Sequence, residues 1–159
     1  MITKVEKGLS YVTATTLLLL VSIVLYDAIV RYFFSSGSIA LQELEWHLFD
    51  VVILFSIAYA LREDSHVRVD IFYEKFSKKT QALIDLVSLL FFVLPFAALI
   101  IYIGIDFVTM SFLQNEESSN PGGLTHRWIV KSLMPLSFFF VVLIALRKSY
   151  SAFKIWRAM

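Results

Sequence analysis

ALIDLVSLLFFVLPFAALIIYIGIDF, residues 82–107, decides the fold. Between Asp85 and Asp106 it carries no charge. At a rise of about 1.5 Å per residue, roughly 20 helical residues cross the ~30 Å hydrocarbon core of a bilayer. A lone segment in lipid satisfies its own backbone N–H and C=O groups only as a helix. Three more apolar stretches flank this one, at residues 9–34, 41–61 and 128–146. All four are long enough to span, the first and third with length left for tilt. The expectation is an all-α membrane protein, a four-transmembrane-helix bundle forming a single membrane domain over residues 1–159.

Composition agrees. Hydrophobic residues make up 58% of the 159 and charged residues 17%, against about 45–50% and 25% in soluble domains. A net charge of +1 offers no global field for nucleic acid. The absence of cysteine excludes disulfides, thiolate catalysis, iron–sulfur clusters and thiolate zinc sites. Lys4 and Lys7 before an apolar run resemble a secretory signal. The run continues to Val30 without a small-x-small cleavage site, so it reads as a retained helix.

Lysine and arginine placement predicts orientation. One side takes Lys4, Lys7, Arg62, Arg68, Lys75, Lys78, Lys79, Arg147, Lys148, Lys154 and Arg157; the other takes Arg31, Arg127 and Lys131. Both termini and residues 62–80 are therefore expected to be cytoplasmic, with loops 35–40 and 112–127 outside. Ser35-Ser36-Gly37-Ser38 and Ser118-Ser119-Asn120-Pro121-Gly122-Gly123 are turn clusters in those outer loops. Residues 70–80 mix Ile71, Phe72 and Phe76 with Glu74, Lys75, Lys78 and Lys79. Such a mixture suits a short interfacial helix against membrane lipids or a plain solvated loop.

Chemistry, if present, would sit on the intramembrane polar residues. Asp27 and Arg31 are four apart with the acid first, the favourable order for a helical pair. Asp50 lies about three turns into the second span. Asp85, Ser88, Phe92, Pro95, Leu99, Tyr102 and Asp106 share one face of the third. A mid-bilayer charge costs about 2.5–3.5 kcal/mol on insertion scales, so these groups should meet protein, water or each other. Two readings follow: Asp27, Asp50 and Asp106 form an ion or proton site, or they are structural pairs within or between subunits. We adopt the second, because a substrate path is hard to fit inside four helices without repeats or broken helices. Pro95 is read as a kink. His47, His66 and His126 lie near the two surfaces, away from a bundle interior where a haem would need them. No phosphate loop, HExxH or nucleophile elbow occurs. Neither an enzyme nor a cofactor is expected.

The most specific pattern surrounds the second span. Leu41-Gln42-Glu43-Leu44-Glu45-Trp46 opens it, Asp50 follows, and it closes into Arg62-Glu63-Asp64-Ser65-His66-Val67-Arg68-Val69-Asp70. Asn120-Pro121-Gly122-Gly123 with Arg127-Trp128 and Pro135 leads into the fourth. In order and spacing this resembles the small membrane (Q, DctQ-type) subunit of tripartite ATP-independent periplasmic (TRAP) transporters, over nearly the whole chain. The resemblance implies a multi-pass protein of the bacterial inner membrane. A periplasmic substrate-binding protein would deliver an organic anion such as a carboxylate to a membrane pair. The large multi-span subunit (M type) would carry the substrate and sodium sites, and the small one would scaffold it.

On that resemblance Glu43, Glu45 and Trp46 are expected at the periplasmic interface, as anchors or partner contacts. Arg68 and Asp70, following His66, would tie the second span to the third. Pro121, Gly122 and Gly123 would shape the outer loop that receives the binding protein, ahead of Trp128 at the entry to the fourth span. Glu116, Glu117 and Arg127 are rim charges that steer its encounter or belong to a solvated loop with no partner. Two other classes stay open. A small four-helix multidrug-type exporter would use Asp27 as its essential carboxylate, but leaves the long outer loop and the His66–Asp70 string without a role. A haem-bearing respiratory anchor is disfavoured by the histidine positions.

Overall fold

A computed structural model of the chain describes residues 2–62, 73 and 75–158. Helix α1 runs Ile2–Phe34 and α2 Ile39–Arg62. The third span is continuous over Lys78–Leu113 and has three parts. These are α3 (Lys78–Ser88), a π-helical turn (Leu89–Val93) and α4 (Leu94–Leu113). Helix α5 covers Trp128–Ala158. There are thus four helices long and apolar enough to cross a membrane, and no strand among the described residues. The expected His66, Arg68 and Asp70 contacts, and most of the stretch read as an interfacial helix or loop, lie outside the described residues.

Local chemistry sets the boundaries. Ser38 Oγ accepts from Leu41 N at 3.3 Å, occupying an otherwise orphaned donor in the first turn of α2. Ser77 does the same for α3, accepting from Thr80 N at 3.2 Å. Ser35 reverses the chain between α1 and α2 in the left-handed region, at φ 49°. Pro95 stands in the first turn of α4, directly after the π turn, where Leu94 N donates to Leu89 O. A proline ring inside a regular helix clashes with the carbonyl four residues back. The widened turn accommodates it without ending the span. Helix α1 begins at Ile2, ahead of its apolar stretch, and α5 continues past its own to Ala158, with Arg157 in its last turn.

Helix α5 is the centre. It packs on α2 on one side and on α3, the π turn and α4 on the other, while α1 packs chiefly on α2. The most apolar window of α5 is 22% buried and that of α1 only 6%. Small residues permit close approach: Ala58, Ala97, Ala145, Ser111 and Ser137 are all but inaccessible. At Gly104 an added Cβ would stand 3.2 Å from both Met134 Cε and Pro135 Cδ, so glycine sets the α4–α5 spacing. Phe55, Leu61, Leu89, Val141 and Ile144 fill the remaining core. At the end of this seam near the C-terminus of α2, Lys148 Nζ donates to Leu61 O at 2.7 Å, satisfying a terminal carbonyl of α2. Apolar side chains cover the outside, among them Phe91, Phe92, Tyr102 and Leu113, as in a body whose surroundings are lipid or other membrane helices.

Candidate functional site at the acidic end of the helices

The two ends of the molecule differ in charge. The end bearing the 35–38 turn and the 114–127 loop holds Asp27, Glu43, Glu45, Asp50, Asp106, Glu116 and Glu117 against Arg31, Arg127 and Lys131, a net charge of −4. Its organiser is Glu43, in the first turns of α2. Glu43 Oε1 accepts from Ser118 Oγ and, at 3.4 Å, from Asn120 Nδ2. Its Oε2 accepts from Leu124 N at 2.7 Å. The loop closes on itself through Ser118 N to Leu124 O at 3.1 Å and Gly123 N to Asn120 O at 3.0 Å. Two glycines make this wrap possible. Gly122 adopts φ 80°, and a Cβ on Gly123 would lie 2.8 Å from Glu43 Oε2 and closer still to Ser118 Oγ. Pro121 precedes them at the exposed tip.

A second tie joins loop to α5. Glu116 pairs with Lys131, whose Nζ also lies 4.0 Å above the Phe107 ring. The Lys131 ammonium, donating to Glu116, holds that carboxyl below the usual carboxylate range. Arg127 N donates to Glu116 O at 3.1 Å, and Trp128 meets Phe112 edge-on at 5.4 Å between centroids. Glu117 stays exposed.

On α1, Asp27 is 5% exposed and pairs with Arg31 through Oδ2. Its Oδ1 has no hydrogen-bond partner among the described residues, nor has the buried Oε1 of Glu45 on the neighbouring helix. Glu45 feels the charges of both Asp27 and Arg31. Asp50 is elsewhere, in a pocket of about 290 Å³ lined by Ile39, Gln42, Glu43, Trp46, His47, Asn120, Arg127 and Val130. Asp106 is exposed on α4. Asp27, Asp50 and Asp106 thus occupy the α1–α2 side, the pocket beside the loop, and the free face of α4; they do not converge. No group of three histidines and carboxylates able to hold a metal occurs among the described residues.

Sequence reasoning singled out Glu43, Glu116, Gly122 and Gly123 separately but missed that Ser118, Asn120, Leu124 and Lys131 complete their network. Glu43 and Leu124 are 81 residues apart, and no periodicity couples a helix residue to a loop at that distance. Lys131 and Glu116 are 15 residues apart across the same loop, a separation that no helical spacing connects.

A four-helix membrane protein with little buried interior and a structured acidic loop is the class these features define. Residues 20–155 match the family of tripartite ATP-independent periplasmic transporters, DctQ component, and the chain belongs to that family. It is similar to a Haemophilus influenzae protein provisionally named a TRAP transporter small permease protein. The two are 23% identical over 145 residues, covering 91% of this chain and 87% of that one. The chain is accordingly a small permease subunit, a transporter component and not a member of an enzyme family.

Proposed function

We propose that this chain scaffolds the large membrane subunit of a TRAP transporter in the bacterial inner membrane. The transporter would take up an organic anion such as a carboxylate, driven by sodium and dependent on a periplasmic binding protein. Both termini face the cytoplasm and the acidic end faces the periplasm. The observation that carries the reading is the disposition of polar groups. Acids and loop network gather toward one end, while the middle of the spans packs through Ala58, Ala97, Val141 and Ala145, and Asp27, Asp50 and Asp106 do not converge on a shared site among the described residues. Broad apolar outer faces suit contact with lipid and with a larger membrane partner.

Orientation tests this, because a binding protein reaches only what faces the periplasm. Cysteines at the exposed positions Ser36 and Ser119 should react with an impermeant thiol reagent in spheroplasts, and one at Lys79 should not. Labelling at Lys79 with protection at Ser36 and Ser119 would overturn the reading.

A further inference from the structure

At the acidic end two of the three cations are ion-paired, Arg31 with Asp27 and Lys131 with Glu116, while Arg127 lines a pocket at the start of α2. Two carboxylates line that pocket: Glu43, already bound by Ser118, Asn120 and the Leu124 N–H, and Asp50. Asp50 makes no hydrogen bond or ion pair among the described residues, and His47 stands one turn before it on α2. Asp50 lies two turns deeper than Glu43, about 10 Å along the helix. It also stands about 18 Å from Arg62 at the far end of α2, so it falls well inside the ~30 Å hydrocarbon span. A lone carboxylate at that depth is costly unless water or a cation meets it. The pocket lining climbs from Asp50 past Gln42 and the exposed Trp46 ring to the loop residues Asn120 and Arg127. At about 290 Å³ it is at the bottom of the range for small-molecule pockets, which is about 300–1,000 Å³.

We propose that this pocket receives a lysine or arginine side chain of the soluble periplasmic binding protein, with Asp50 as its counter-charge and Trp46 as an aromatic wall. Charge complementarity selects that occupant. The end as a whole carries −4 and attracts a basic surface, whereas a phospholipid would bring its phosphate against Asp50 and Glu43. A cationic head fits both the carboxylate and the indole face. The proposal rests on the binding-protein-dependent reading above and adds where, and by which chemistry, this subunit takes part in docking.

The test uses the complete membrane complex in proteoliposomes, with uptake measured against concentration of the binding protein. Asp50→Asn should raise the half-saturating concentration about ten-fold at unchanged maximal rate, since losing a close charge pair acts on complex lifetime. Asp106→Asn makes the same charge change at the same end outside the pocket and should leave half-saturation within about two-fold, as a distant charge is screened. Gln42→Lys places a cation in the pocket and should weaken docking as Asp50→Asn does, even if the latter assembles poorly. Unchanged half-saturation in both pocket variants overturns the proposal. So does a fall in maximal rate and complex recovery at fixed half-saturation, which would put the large subunit in the pocket. A wild-type complex whose uptake ignores the binding protein would instead defeat the underlying reading, and the proposal with it.

Discussion

Gly123→Ala forces a Cβ into the Ser118 side chain and to within 2.8 Å of the Glu43 carboxylate, so the loop must open or Glu43 must move. Overpacking of this kind costs about 1–3 kcal/mol. The expected result is a lower melting temperature in detergent and faster proteolysis within 114–127, with the four helices still formed. Wild-type loop protection would show that the wrap around Glu43 is dispensable. At this scale the sequence was only partly legible. The Asp27–Arg31 pair is visible because four residues make one helical turn. The clamp of Glu43 is not, because its donors come from a loop whose path depends on the positive φ of Gly122, the missing Cβ of Gly123 and the packing of α2 beside α5.

At the scale of elements, α1 is the least buried helix and leans mainly on α2. Among its described side chains the one deeply buried charge is Asp27, whose partner Arg31 is half exposed, the side chain retaining 48% of its accessible surface. Asp27→Asn removes the counter-charge of Arg31. Because the guanidinium reaches solvent, the cost is expected at about 1–3 kcal/mol, not that of a fully buried pair. Recovery of the complex with the large subunit should fall. Replacing both residues by leucine should restore much of it, since an ion pair often breaks even with an apolar swap. A functional ion site would behave otherwise: assembly intact, sodium dependence altered, no rescue by the double change. The spans themselves were legible as apolar runs, and the Ser35–Ser38 turn as a cluster of turn formers. Less legible was the third span, where the sequence suggested a kink at Pro95 but gave no sign of the π turn just before it. Nor does a run of apolar residues say which helix is central. That follows from Ala145, Ser137 and Val141 on α5, whose small or well-fitted side chains admit neighbours on two sides.

For the whole molecule, most polar chemistry lies toward the ends and close-packed small residues lie between, Asp50 near the middle of α2 being the carboxylate that departs from this. A four-helix exporter would need a route through that middle and an essential carboxylate in it. Asp27 is instead buried beside α2 with its own arginine, and Asp106 faces outward. The decisive measurement is transport by purified components in sodium-loaded proteoliposomes. With the large subunit and binding protein present, this chain should support sodium-driven uptake; reconstituted alone, it should show no substrate counterflow. Robust counterflow by the isolated chain would contradict the scaffold reading and favour an exporter.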